Sequence, residues 1–367
     1  MNDHSELPLC VDLDGTLIFT DALVESAARS FFRAPGATLG ALASLRKGRA
    51  AFKARMLQRG SLDVATLPFN TPLIERLRDE RARGRRLVLV TAANERVAHA
   101  VQAHLQLFDD VFASTEAHNL KGPAKSQFLV ERYGAGGFVY VGDSAADRAV
   151  WLRAAAAWTV GEEGLRVAGR AGVSVAAQFA GATATVGDWF RALGIDRWLW
   201  NLLVLLPWAL FTQTASKRSA FILLAALIGF CLAASGVALF AAIAGLEAPG
   251  HQRRDDTHPV SAGRIALVRA GLVGMGLVVT AGLATAALSP PLCGVLAVFI
   301  VSSVLFAMRP VAPGATAWLR RAWLIGLRLL AGISVVFAGL SLPTWITLWV
   351  SAAALAVVGR PTQGPAT

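Results

Sequence analysis

The sequence predicts an α/β three-layer domain of Rossmann-like type with a small helical cap, followed by an all-α domain of several membrane-crossing helices. Three observations carry this. Short apolar runs each end abruptly in polar residues, at Leu9–Val11, Leu87–Val90 and Phe138–Val141. Helical stretches alternate with those runs, the pattern of parallel βαβ units. From Trp198 onward the chain is a series of long apolar segments, and over all 367 residues 55% are hydrophobic while only 16% are charged, which is low for a soluble protein.

The first run, Leu9-Cys-Val-Asp12-Leu-Asp14-Gly15-Thr16-Leu17, reads as a short buried strand whose C-terminal end delivers polar groups into a crevice. Asp12 and Asp14 stand two apart where the strand ends. If the chain turns after Asp12, one carboxylate can attack and bind a cation while the other manages protons. Gly15 permits that turn, although Asp-Gly is also an ordinary turn pair.

Residues from Ile18 to about Asn70 read as helices carrying Phe31, Phe32, Leu39, Leu42, Leu45, Phe52 and Met56, with basic residues between them. The charge suits either a phosphorylated substrate, an anionic membrane or a solvated helix face. An amphipathic helix follows over Pro72–Arg83, stopped by Gly84. Leu87–Val90 is the second strand and ends at the hydroxyl of Thr91. Phe108–Ala113 and Ala155–Val160 are further strands, Lys125 opens a helix after Lys121-Gly122-Pro123, and Phe138–Val141 leads into Gly142-Asp143-Ser-Ala-Ala-Asp147. Residues 161–188, rich in Gly, Ala and Val, read as a transition to something else.

Taken in order, the chain supplies Asp12 and Asp14, then Thr91, then a lysine, then Asp143 and Asp147. This resembles the four motifs of the haloacid dehalogenase-like superfamily, over about residues 7 to 160. The resemblance implies Asp12 as nucleophile and Asp14 as general acid and base. It implies Thr91 and Lys125 on the phosphoryl oxygens, and Mg²⁺ held by Asp12, the Asp14 backbone, Asp143 and Asp147. Lys121 is the rival for the lysine role; Lys125 is preferred because the superfamily's lysine usually opens the helix before the last acidic strand. The helical insert at about 20–70 resembles the superfamily's small cap.

The formal net charge is +11, but the basic residues flank apolar segments, so the positive-inside rule explains them better than nucleic-acid binding. Cys10, Cys231 and Cys293 all sit inside apolar runs, as small buried hydrophobes do, which argues against a disulfide framework or a zinc site. The N-terminus lacks the basic and apolar regions of a signal peptide, so the first domain is expected to stay in the cytoplasm.

Six apolar segments, roughly 198–215, 219–246, 265–288, 292–308, 322–341 and 343–359, approach the length of a membrane-spanning helix. Arg191, Arg197, Arg253, Arg254, Arg264, Arg309, Arg320, Arg321 and Arg360 fall on one side, against Lys217 and Arg218 on the other. This places both termini at the cytoplasmic face of the inner membrane. Arg328, about two turns inside a membrane helix, either faces a polar partner or snorkels to the interface.

Trp198, Asn201, Leu203, Val204 and Pro207 keep the phase of R-P-x-Q-W-x-K-N-x-L-V-x-x-P, which resembles the opening of UbiA-type membrane prenyltransferases, with Arg191 three residues ahead of the family's arginine position. Trp200 takes the family's lysine position. His258–Gly263 and Leu327–Gly332 resemble two later motifs. The family's metal-binding N-D-x-x-D-x-x-x-D falls on Ala241, Ala242, Gly245 and Pro249, none of which binds a metal. Glu247, Asp255 and Asp256 are the carboxylates nearby. The resemblance therefore implies a degenerate, truncated transferase scaffold.

The expected organisation is a phosphatase domain at 1–187 and a membrane domain at 188–367. The expected function is a Mg²⁺-dependent phosphatase anchored in the lipid bilayer, acting on a phosphorylated small-molecule or lipid-linked substrate and not on nucleic acid. Two alternatives are a prenyltransferase or polyprenyl-phosphate phosphoribosyltransferase with an accessory phosphatase domain, and a non-catalytic membrane protein partner of a complete transferase.

Overall fold

A computed structural model describes residues 4–33, 62–115, 118–211, 217–247, 258–308 and 314–336. The chain divides into two compact units, Met1–Thr185 with Pro249–Leu267, and Val186–Ala248 with Val268–Thr367.

The first unit is a six-stranded sheet. Its strands are β1 (Leu9–Val11), β2 (Leu87–Asn94), β3 (Asp110–Ser114), β4 (Val139–Gly142), β5 (Ala156–Val160) and β6 (Val175–Phe179), in spatial order β3-β2-β1-β4-β5-β6. Every neighbouring pair is parallel. β1 lies at the centre with Cys10 opposite Val88 on one side and Tyr140 on the other, so the chain leaving it emerges between β2 and β4.

Strand alternation sorts the core into two layers. Leu9, Val11, Leu87, Leu89, Val139 and Val141 face one cluster, together with Leu73, Ile74 and Leu77 of α2 (Thr71–Ala82) and Val97, Ala98 and Val101 of α3 (Glu95–Leu105). Cys10, Val88, Val90 and Tyr140 face the other, with Leu129 of α4 (Pro123–Tyr133), Val150 and Trp151 of α5 (Arg148–Trp151) and Ala168 of α6 (Gly161–Arg170). Helices on both faces of a parallel sheet make the three-layer arrangement expected from the sequence. Asn70 caps α2 by accepting from the amide of Leu73. Burial in the second layer pushes the Cys10 thiol up to about 12, which fits a packing role.

One strand departs from expectation. β6 lies within 161–188, the stretch read as a transition, and forms the sheet edge beyond β5. Its residues alternate between half-buried and exposed, so Val-Ala-Ala-Gln-Phe has no continuous apolar run by which a strand is recognised.

Of the proposed cap, the helix α1 (Ala22–Arg33) and a 3-10 turn at Val64–Thr66 are described. Arg29 reaches between them, pairing with Glu25 at 3.0 Å and donating to the Thr66 hydroxyl at 2.6 Å. The remaining cap residues, 34–61, lie outside the described residues. The segment around Gly263 belongs to the first unit. Gly263 has φ +74°, and a Cβ on it would sit 2.8 Å from Cβ of Phe19 and 3.1 Å from Cγ of Pro68, so the turn abuts the residues flanking the cap.

In the second unit a short helix α7 (Val186–Ala192) leads to a 3-10 segment at Ile195–Val204 and then α8 (Leu206–Leu210). Residues 198–211 are thus not the single spanning helix expected there. Pro207 lacks an amide donor and restarts the chain as a new short helix. Next come α9 (Lys217–Ala244), α10 (Leu267–Leu288), α11 (Pro290–Met308) and α12 (Ala315–Val336). The first three of these are long and apolar enough to cross a membrane. α9 and α10 approach backbone to backbone, since a Cβ on Gly236 would lie 2.7 Å from the Gly274 carbonyl oxygen. Phe230, Leu296, Phe299, Leu327 and Ala331 form the buried core of this unit. The expected span 343–359, together with Pro249, Asp255 and Asp256, lies outside the described residues.

Candidate active site

The site forms where β1, β2 and β4 end. The amide of Asp12 still donates to the Val141 carbonyl at 3.1 Å, so Asp12 is the last residue held by the sheet. Gly15 then takes φ +77°, a conformation that glycine adopts without strain. It is also the point of closest approach: a Cβ there would lie 2.8 Å from Cγ of Asp143. The buried Thr16 hydroxyl reaches back to Asp143 Oδ1 at 3.3 Å, tying the loop after β1 to the loop after β4.

Asp12, Asp143 and Asp147 each place a carboxylate oxygen within 4.8 Å of the others. Lys125, in the first turn of α4, points its Nζ at Asp12 Oδ1, 2.9 Å away, and is itself buried. Lys121 is exposed. The geometry therefore brings Lys125 to the carboxylates and leaves its rival outside.

Asp147 faces inward and is almost fully occupied. Its Oδ2 accepts from the amides of Asp143 and Ser144 at 3.1 and 3.2 Å, and its Oδ1 accepts from the Tyr140 hydroxyl at 2.8 Å. Gly142 makes room for it, since a Cβ on that residue would collide with the carboxylate at 2.7 Å. Asp147 thus holds the turn that aims Asp143.

Tyr140 is the residue that sequence reasoning missed. Its hydroxyl accepts from Lys125 Nζ at 2.9 Å while donating to Asp147, which makes one chain from Asp12 through Lys125 and Tyr140 to Asp147. The available signal was a tyrosine in the middle of an apolar strand, because a buried phenol needs a partner.

Thr91, fully buried at the end of β2's apolar run, accepts from the amide of Ala93 at 2.9 Å, leaving its hydroxyl proton free to be donated. Asp14 Oδ1 accepts from the amide of Ala22 at 2.8 Å, capping the first turn of α1. The acid proposed to move protons is therefore attached to the root of the cap.

Electrostatics sets these carboxylates apart. Burial pushes Asp12 up to about 6 despite the opposing pull of Lys125, and pushes Asp14 up to about 7, helped by Asp21. Asp143 is likewise raised to about 7 by burial and by the neighbouring charge of Asp147. One ammonium among these acids leaves excess negative charge, and clustered hard oxygen donors suit a divalent cation such as Mg²⁺. The residues present fit that ion.

Residues 9–150 match the haloacid dehalogenase-like hydrolase family. They form a haloacid dehalogenase-like hydrolase domain. The chain is also 32% identical over 286 residues to the uncharacterized protein y4nM of Sinorhizobium fredii, covering 77% of this chain, and it spans about half the length of that relative, 55%. Among solved structures it is similar to a haloacid dehalogenase family hydrolase of Salmonella enterica serovar Typhi, at 15% identity over 48% of this chain and 70% of that one, with a TM-score of 0.33. It is similar as well to a substrate-bound phosphoserine phosphatase, at 14% identity over 47% and 92% of the two chains, with a TM-score of 0.34. The assignment of the haloacid dehalogenase-like domain rests on the match to residues 9–150.

Proposed function

We propose that this protein is a membrane-anchored, Mg²⁺-dependent phosphatase that hydrolyses a phosphomonoester through a phosphorylated Asp12. The observation that carries the reading is the pairing of Asp12 with Lys125 at 2.9 Å beside Asp143 and Asp147. A carboxylate nucleophile, a fixed cation and a second group of acids are what phosphoryl transfer to a side chain requires.

In the first step an oxygen of Asp12 attacks phosphorus, the bond from phosphorus to the leaving oxygen breaks, and Asp14 gives that oxygen its proton. With burial raising it to about 7, Asp14 still holds a proton near neutral pH, as a general acid must. In the second step Asp14 takes a proton from water, the water oxygen attacks phosphorus, and the bond from phosphorus to Asp12 breaks to release phosphate. Lys125 and the Thr91 hydroxyl bind the phosphoryl oxygens while charge develops there. Mg²⁺ held by Asp12, the Asp14 carbonyl and Asp143, with Asp147 supporting, would neutralise phosphoryl charge.

Hydrolysis is assigned to residues 1–187 and anchoring to residues 188–367. In this reading the first domain and the C-terminus lie at the cytoplasmic face of the inner membrane, which the arginine-rich side of the apolar segments supports through the positive-inside rule. A lipid-linked or sugar phosphate suits a phosphatase tethered in this way. The helical part is read as a UbiA-type scaffold without transferase chemistry, since Ala241, Ala242 and Gly245 stand where the family has metal ligands. The decisive measurement is phosphate release from an aryl phosphate by the detergent-solubilised chain. Release that requires Mg²⁺ and disappears in Asp12→Asn supports the reading, and equal release by that variant overturns it.

A further inference from the structure

The two roots of the cap meet in a short ribbon beside the active site. Ile18 and Phe69 face each other in an antiparallel bridge. The Phe19 amide donates to the Pro68 carbonyl at 2.8 Å, and the Asn70 amide to the Leu17 carbonyl at 2.9 Å. The same stretch closes tightly around Asp14. The amides of Leu17 and Ile18 donate to the Leu13 carbonyl at 2.9 and 3.0 Å, and the Gly15 amide donates to the Thr20 carbonyl at 3.4 Å. Asn70 Nδ2 also donates to the Thr16 carbonyl at 3.3 Å. A loop closed by this many bonds has no slack, so a displacement of the ribbon is passed on to Asp14.

The segment that packs on this ribbon comes from far along the chain. Residues 258–265 lie in sequence between α9 and α10, both long and apolar enough to cross a membrane, yet Pro249–Leu267 belongs to the first unit. The turn is held by its own hydrogen bonds. The amides of Ala262, Gly263 and Ile265 donate to the carbonyls of His258, Val260 and Pro259 at 2.9, 3.2 and 3.1 Å. Val260 and Ile265 are buried. Gly263 is the point of contact: a Cβ there would lie 2.8 Å from Phe19 Cβ and 3.1 and 3.2 Å from Pro68 Cγ and Cβ, so it touches both strands of the ribbon at once. Its φ of +74° adds a second demand, since a β-branched residue is strained in that region.

We propose that the turn at residues 258–265 is a positioning element of the active site, in which Gly263 braces the ribbon at the roots of the cap and thereby holds Asp14 in place. The hydrolytic domain is then discontinuous in sequence: its reacting groups come from residues 12–147, and one of its supports comes from between two apolar helices of the other half of the chain. Gly263 touches no reacting atom and acts through Phe19 and Pro68. The role given to Asp14 rests on the phosphatase reading; the bracing of the ribbon stands on the geometry of Gly263.

The test compares the detergent-solubilised full chain with Gly263→Val, and with Gly263→Ala if the valine variant fails to fold as judged by circular dichroism. Hydrogen exchange is read first, because it needs no activity. The amides of Phe19 and Asn70 are expected to exchange at least about tenfold faster in the variant, while that of Asp12, held by β4, keeps its protection. Unchanged exchange at the ribbon overturns the proposal. First-turnover rates with Mg²⁺ then read Asp14. With phenyl phosphate, whose leaving oxygen needs a proton, the rate is expected to fall at least about tenfold. With 2,4-dinitrophenyl phosphate, whose leaving oxygen needs none, it should change less than about threefold. Equal losses on the two substrates overturn the positioning role and leave a general loss of structure. Gly276→Val adds the same bulk on α10, where a Cβ meets nothing within 4 Å, and is expected to change neither measurement; the same effects there also overturn the proposal. A parent chain that hydrolyses neither ester overturns the phosphatase reading, and the positioning of Asp14 with it, while the exchange rates still decide whether Gly263 braces the ribbon.

Discussion

The Nζ of Lys125 lies 2.9 Å from the hydroxyl of Tyr140, and that same hydroxyl donates to Asp147, so a phenol joins the lysine beside Asp12 to the acid that aims Asp143. Tyr140→Phe removes the joint and leaves both charged partners buried and short of a hydrogen bond. The expected result is a stability loss of about 1–3 kcal/mol and a fall in hydrolysis of about 10- to 100-fold. Thermal unfolding and steady-state kinetics on an aryl phosphate check it, and a variant as active as the parent would show that Tyr140 serves packing alone.

Lys125 and Lys121 are separable by substitution. Lys125→Met deletes the ammonium beside Asp12 and is expected to lower kcat by roughly 10²- to 10³-fold, the scale of losing one charge-stabilising donor. Lys121→Met, at an exposed position, should leave kcat within about twofold, the span of ordinary surface changes. The reverse order in measured kcat would transfer the role to Lys121.

Gly15→Ala tests the close approach of the two active-site loops. An added methyl meets the Asp143 carboxylate, and the residue must also hold φ +77°. Displacing Asp143 by even about 1 Å is expected to cost on the order of 10² in activity. The far-UV circular dichroism should stay that of the parent. Full activity would place Asp143 outside the reacting centre.

The raised carboxylates predict a stability profile for the metal-free protein. Asp12 at about 6, and Asp14 and Asp143 at about 7, hold protons in the native state that they release at ordinary carboxylate values near 3.8 when unfolded. Between those values the native state binds more protons, so stability falls as pH rises from about 4 to 7. In EDTA the unfolding midpoint of the first domain should be lower at pH 8 than at pH 5.5 by about 2–4 °C for roughly 1 kcal/mol. Asp143→Asn should shrink that difference. Adding Mg²⁺ should raise the midpoint most at the alkaline end, where the acids are ionised and free to bind it. A midpoint that climbs with pH in EDTA would contradict the crowding of these acids.

Much of the first unit was legible because its information is local. Apolar runs of strand length ended at Asp12, Thr91 and Asp143, and a parallel sheet must bring such ends to one edge. The edge strand Val175–Phe179 escaped because only alternate residues are half-buried there, and the pairing with β5 that makes it a strand is non-local. Residues 198–211 misled because their composition is that of a spanning helix, whereas Pro207 and the buried Asn201 are accommodated by a 3-10 segment and a short helix.

By itself the sequence determined the three-layer class, the acids, hydroxyl and lysines available to the site, and the presence of helices apolar enough to enter a bilayer. These follow from periodicity, from where polar residues interrupt apolar runs, and from length, all of which are properties of neighbours along the chain. The tertiary structure alone decided that Lys125 and not Lys121 meets Asp12, that Tyr140 completes the chain to Asp147, and that Arg328 turns toward Asn201. Each of these depends on distances between residues far apart in sequence, and a hydrogen bond exists only once packing has brought donor and acceptor to within about 3 Å.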